Sequence, residues 1–198
     1  MSALPLPLPA PSAPIADAEF RLTSADFARI RRLIHAHAGI SLHEGKQAMV
    51  YSRLSRRLRE TGHADFTAYL DALEHARGAQ ADAEWQAFVN CLTTNLTAFF
   101  REEHHFQALQ EDLHARRGRP LRLWCNAAST GEEPYSIAMT VAETLGAGAS
   151  PVSLLGTDID TQVLATARRA VYPADARGLS PARLKRHFLR GTGPNAGF

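Results

Sequence analysis

The chain has 198 residues, 45% of them hydrophobic and 21% charged, with a formal net charge of +2. That composition is globular and ample for one large domain or two small ones, and the charge is too small to mark a nucleic-acid binder. Cys91 and Cys125 lack CxxC spacing, which excludes a disulfide framework or zinc ribbon, and no apolar run nears the ~20 residues of a membrane span. Without a basic-then-apolar leader either, a soluble cytoplasmic protein is expected.

Residues 1–18 are proline-rich, which denies them helix and ladder bonding, and they predict a disordered extended tail. From Ser24 to Leu92 the apolar period is helical. Ser24 is the expected cap of a first helix bearing Phe27, Ile30 and Ile34 on one face, and Gly39 ends it. A second helix, about Lys46 to Glu60, sets Val50, Tyr51, Leu54 and Leu58 on one stripe before Gly62. A third carries Phe66, Tyr69, Leu70 and Leu73 before Gly78, and a fourth carries Trp85, Phe88, Val89 and Leu92. Residues 19–92 therefore read as a small helical domain.

After Cys91 the composition changes. Thr93 to Arg101 is polar, then aromatic, and leads into a linker helix through Phe106, Leu109 and Leu113, placing the linker over 93–120. Strand and helix then alternate: Leu121 to Asn126, Glu133 to Leu145, Val152 to Thr157 and Thr161 to Val171. That order begins a parallel doubly wound sheet, so the fold class is α/β behind an all-α N-terminal domain. Ser180 and Pro181 open one more short helix, and Gly191 to Gly197 is a loop. Two strands alone bury too little to form such a sheet, so 121–198 reads as an incomplete domain.

The chemistry concentrates at the strand ends. Gly131 lets backbone approach a ligand, and Pro134 suits a first helical turn. Glu132 and Glu133 complement the helix dipole by ~0.3–1 kcal/mol. They also repel a phosphate and welcome an ammonium or a sulfonium. The turn is not GxGxxG, which disfavours a dinucleotide. Asp158, ending the second strand, can accept two bonds from ribose hydroxyls, whereas Asp160 suits helix capping better.

Asn95-Leu-Thr-Ala-Phe-Phe-Arg-Glu, Ala127-Ala-Ser-Thr-Gly-Glu-Glu-Pro-Tyr-Ser136, Thr157-Asp-Ile-Asp-Thr161, Arg177-Gly-Leu-Ser and His187-Phe-Leu-Arg-Gly-Thr-Gly193 together closely resemble the CheR-type chemotaxis receptor methyltransferases. The resemblance covers residues 24 to 195. It implies S-adenosyl-L-methionine as donor, S-adenosyl-L-homocysteine as product, and chemoreceptor glutamates as acceptors. It also implies a Rossmann-like methyltransferase domain with a β-subdomain inserted after the second strand and its helix, whose start falls within 121–198; a monomer is expected. By the same resemblance Asn95, Thr97 and Arg101 approach the cofactor from the linker helix, and Ala127 lies in the first turn. Glu133 meets the methionine end, with Glu132 as the alternative, and Asp158 meets the ribose. Asn126 stands where the family often has a small residue. Arg101 can orient the acceptor carboxylate or hold a cofactor carboxylate.

On the second helix Lys46, Arg53, Arg56, Arg57 and Arg59 avoid the apolar stripe and leave a cationic face. The resemblance gives that face the acidic methylation helices of a receptor; a solvated face explains the same charges without a partner. Nucleic acid is disfavoured by the low net charge and the lack of interleaved aromatics. The histidines show no HExxH spacing, so no metal is expected. Because the family's later strands and an Asn-rich turn lie beyond what Phe198 reaches, weak or absent activity is expected of these residues alone. A non-catalytic receptor-binding module is the alternative function, with a DNA-binding helical domain behind it.

Overall fold

The computed structural model describes residues 19–146 and 151–193; the proline-rich tail and most of the Gly191 to Gly197 loop lie outside the described residues. The chain divides into two compact units, at Leu92 and Thr93.

The first unit holds α1 (Ser24–Ala38), a 3-10 turn (Glu44–Lys46), α2 (Gln47–Thr61), α3 (Phe66–His75) and α4 (Ala79–Leu92). Its core is the set of stripes read from the period: Ile30, Ile34, Val50, Leu54, Leu58, Phe66, Tyr69, Leu70 and Phe88 are fully buried. Thr23, not Ser24, caps α1. Its backbone is extended, its hydroxyl accepts from the Asp26 N–H at 3.0 Å, and Asp26 Oδ2 accepts from the Thr23 N–H at 3.0 Å. Such a reciprocal box needs an acid three residues after the cap, and only Thr23 has one. Asp26 Oδ1 also accepts from the Thr67 hydroxyl at 2.8 Å, joining α1 to α3. Burial raises its pKa, but the Thr23 and Thr67 bonds and Arg29 outweigh that and hold it below the usual carboxylate range.

The second unit holds α5 (His104–Ala115), β1 (Leu121–Cys125), α6 (Glu132–Leu145), β2 (Val152–Gly156), α7 (Thr161–Arg169) and α8 (Pro181–His187). The strands pair in parallel with Leu121 opposite Val152 and Cys125 opposite Gly156, and α6 makes the crossover. Leu121, Leu123 and Cys125 share the better-buried face, while Trp124 and Leu155 are exposed on the other. Among the described residues no strand follows β2, and α8 is the short helix expected from Ser180 and Pro181.

Residues 93–103 are not helical, which corrects the expected linker helix up to His104. Phe100 and Glu102 take positive φ values of 52° and 58°, which a helix forbids, and the polar side chains before them bond elsewhere. Phe99 is buried between Tyr172 and Phe188, with ring centroids 4.9 and 5.8 Å away. A Cβ at Gly178, whose φ is 88°, would overlap the Phe99 carbonyl.

Candidate functional site

The loops leaving β1 and β2 are stitched together at the carboxyl ends of both strands. The Thr157 N–H donates to the Cys125 carbonyl at 2.9 Å and the Ala128 N–H to the Thr157 carbonyl at 2.8 Å. Ser129, at φ 47°, then donates its N–H to Asp158 Oδ2 at 2.8 Å, and Asp158 Oδ1 accepts from the Asp160 N–H at 2.9 Å. Asp158 thus holds both loops with one lone pair per oxygen, and each oxygen keeps capacity for a further donor. Ala127 is exposed in the first of these loops.

Gly131 begins α6 at φ 104°, and a Cβ there would overlap the Tyr172 hydroxyl, which donates to the Thr130 carbonyl at 2.8 Å. The two acids that follow differ. Glu132 is half-buried and accepts from the Thr130 hydroxyl at 2.6 Å. Glu133 is exposed and accepts from Cys125 Sγ at 3.4 Å. Burial, and then the Glu133 carboxylate, push the Cys125 thiol up to about 11, so it stays protonated and unreactive at neutral pH.

The segment after Thr93 closes the site on another side. Asp160 is buried and caps α7, its Oδ1 accepting from the Gln162 and Val163 N–H groups at 2.9 and 3.3 Å. Its Oδ2 accepts from the Thr93 hydroxyl and from Asn95 Nδ2, both at 2.7 Å. Thr97 is half-buried farther along, and Arg101 is exposed, bending back to donate to the Leu96 carbonyl at 2.9 Å. Its neighbour Phe100 donates its N–H to Ser136 Oγ on α6 at 2.9 Å, and the Arg183 guanidinium lies 3.7 Å from the Phe100 ring centre while pairing with Glu143 at 3.0 Å.

Asn95, Ala127, Glu133 and Asp158 therefore gather around the two strand ends, whereas Arg101 is tied chiefly to its own loop. Sequence reasoning missed Thr93, Ser129, Ser136 and Tyr172, and saw only the capping half of what Asp160 does. A second acid two residues after a strand-ending one was the available signal for Asp160; nothing local marked the others. Two cavities of this unit, of about 470 and about 250 Å³, are lined mostly by apolar residues, and none of the residues expected to hold the cofactor lines either.

The expected docking residues fare unequally. Lys46 is exposed at the end of the 3-10 turn, Arg53 is half-buried, Arg56 pairs with Glu60 at 3.6 Å, and Arg59 pairs with Glu19 at 2.8 Å. Arg57 is turned into its own domain: its Nε donates to Glu84 Oε1 at 2.9 Å, a second nitrogen meets Glu84 Oε2, and the buried Tyr69 hydroxyl donates to the same carboxylate at 2.8 Å. Arg57 holds the Glu84 carboxyl below the usual range despite burial.

The site's free chemistry is that of acceptors: the exposed Glu133 carboxylate and the unspent lone pairs of Asp158. That set fits a ligand with an ammonium and hydroxyls, as S-adenosylmethionine has, and does not fit a pyrophosphate. Residues 25–93 match the family model of the CheR methyltransferase all-alpha domain, and residues 95–198 match that of the CheR methyltransferase SAM binding domain. The chain belongs to the CheR methyltransferase family. Within this family it is 52% identical over 196 residues to chemotaxis protein methyltransferase 2 of Pseudomonas aeruginosa, covering 97% of this chain and 68% of the relative. It is also 52% identical over 178 residues to the chemotaxis protein methyltransferase of Escherichia coli, covering 89% and 61%. The Borreliella burgdorferi member is 33% identical over 178 residues, covering 85% and 62%. The chain thus spans roughly three fifths to two thirds of the length of these CheR relatives.

Proposed function

We propose that the protein transfers a methyl group from S-adenosylmethionine to glutamate side chains on the cytoplasmic helices of chemoreceptors. The observation that carries this reading is the joining of the two strand-end loops through Ser129 and Asp158, beside the exposed Glu133, in a chain of the CheR family. Glu133 attracts the ammonium of the methionine end, and Asp158 accepts from the ribose hydroxyls. Glu132 is engaged by Thr130, which favours Glu133 for the contact.

When bound, the donor supplies an electrophilic methyl on a sulfonium; a new carbon–oxygen bond forms as the carbon–sulfur bond breaks and sulfur keeps the electron pair. The acceptor carboxylate, with a reference pKa of about 4.3, is already ionised at neutral pH, so this chain need supply no general base. The work left to its residues is alignment. Thr97, Ala127 and Asn95 complete the cofactor contacts, and the exposed Arg101, one of whose nitrogens donates to the Leu96 carbonyl, steers the incoming carboxylate with the others. Lys46, Arg53, Arg56 and Arg59 meet the acidic receptor helices, while Arg57 serves its own domain.

The test is incubation with methyl-labelled donor and a receptor cytoplasmic fragment, scoring base-labile methanol release. Donor-dependent esters are expected of the whole protein, and weak or no ester of these 198 residues alone, with E133Q weakening donor affinity roughly tenfold and E132Q much less, since a charged contact is worth about 1.5–3 kcal/mol. Equal losses for the two acids, or no ester from the whole protein, would overturn the reading.

A further inference from the structure

The side-chain amide of Asn95 is fully specified on one side. Nδ2 has two N–H groups. Nδ2 donates to Asp160 Oδ2 at 2.7 Å and more weakly toward the Thr93 hydroxyl oxygen at 3.3 Å, while that hydroxyl donates its own proton to Asp160 Oδ2 at 2.7 Å. A carboxylate can only accept, so the amide cannot be turned over without setting its oxygen against Asp160. Among the described residues Oδ1 accepts nothing, and Asn95 is half-exposed.

We infer that Asp160 and Thr93 are positioning residues that fix the Asn95 amide so that its Oδ1 is presented to a ligand as an acceptor. This rests on the cofactor reading of the site and deepens it: Asn95 selects a ligand group bearing a hydrogen, an ammonium or a hydroxyl, and rejects a carboxylate or phosphate oxygen. Glu133, Asp158 and the Asn95 oxygen then offer a ligand a set of acceptors. The buried Asp160 does this from behind, since its other oxygen is taken by the α7 cap.

The decisive perturbation is an exchange of the two side chains. In D160N the introduced amide keeps its oxygen on the α7 N–H groups, because asparagine caps as well as aspartate, and turns its NH2 toward Asn95. The Asn95 amide must flip, presenting NH2 where it presented oxygen. In the N95D/D160N exchange the pair reforms with roles reversed, and the second carboxylate oxygen again faces outward as an acceptor. With S-adenosyl-L-homocysteine as probe in isothermal titration, D160N is expected to weaken binding roughly tenfold and the exchange to return it within about threefold of the unmodified protein. A merely structural role for Asp160 would give two variants equally weak, and that result, or an unchanged D160N, overturns the inference.

A ligand-free measurement separates this from the cofactor reading. In nitrogen-15 spectra of the unmodified protein, the Asn95 side-chain amide protons should exchange with solvent far more slowly than those of the exposed Asn126. Equal exchange overturns the amide assignment even if the probe binds. Slow exchange without probe binding sustains the assignment and removes the cofactor reading instead.

Discussion

Replacing Gly131 by alanine tests how the first turn of the site is held. Its φ of 104° places a β-carbon in strained backbone, at about 1–3 kcal/mol, and against the Tyr172 hydroxyl. Displacing that hydroxyl breaks its 2.8 Å bond to the Thr130 carbonyl, a further ~1 kcal/mol. The expected cost is therefore roughly 2–4 kcal/mol, a large share of an ordinary domain stability of about 5–15 kcal/mol. Tyr172→Phe alone should cost about 1 kcal/mol, and in combination with G131A it removes the overlapping oxygen, so the double variant should be more stable than the sum of the singles by ~1 kcal/mol. Urea titrations followed by far-ultraviolet circular dichroism supply the four corners of that cycle. Strict additivity, or a G131A cost under about 0.5 kcal/mol, would show that Tyr172 does not press on this turn.

Arg57→Ala should destabilise the helical unit by about 2–4 kcal/mol, because it leaves the half-buried Glu84 carboxylate without its cation, whereas Arg56→Ala should cost under ~0.5 kcal/mol; comparison of urea midpoints decides it, and equal effects would contradict the burial of the Arg57 pair. Glu84 has its folded pKa depressed, first by Arg57, so its contribution is fully present above the unfolded value of about 4.3 and is lost as pH falls through the lower folded value. The unmodified protein should therefore lose urea resistance below about pH 4.3 more steeply than E84Q, and parallel pH profiles would argue against the pairing. Cys125, with its thiol raised to about 11, should react with iodoacetamide at pH 8 about a hundredfold more slowly than a free thiol of pKa about 8.5, as read by mass spectrometry; a rate near that of the free thiol would mean that Cys125 is neither buried nor faced by Glu133.

The helical faces around Ile30, Val50, Leu70 and Phe88 were legible because burial there repeats at the helical period within each segment. The two strands, their crossover helix and the Asp160 cap were legible for the same local reason. What escaped depends on partners distant in sequence. Arg57 reads as one more solvent-facing cation until Glu84, 27 residues on, takes it. Residues 93–103 read as the approach to a helix, yet Thr93 and Asn95 find their acceptor at Asp160, and Phe100 finds Ser136 36 residues away. Tyr172 carries no motif of its own; its role is defined by the missing side chain at Gly131.

The bond from Asn95 to Asp160 also imposes a schedule. Asn95 leaves the ribosome 65 residues ahead of its acceptor, an interval of about 3–13 seconds at roughly 5–20 residues per second. During it the asparagine is an ordinary hydrated side chain, while α5, β1, α6 and β2 emerge between the two partners. A nascent chain stopped before residue 160 already carries every helix of the first unit, yet its Asn95 amide still has no acceptor to orient it. The capacity to discriminate a ligand at Asn95 is thus born late, when β2 has passed and α7 begins.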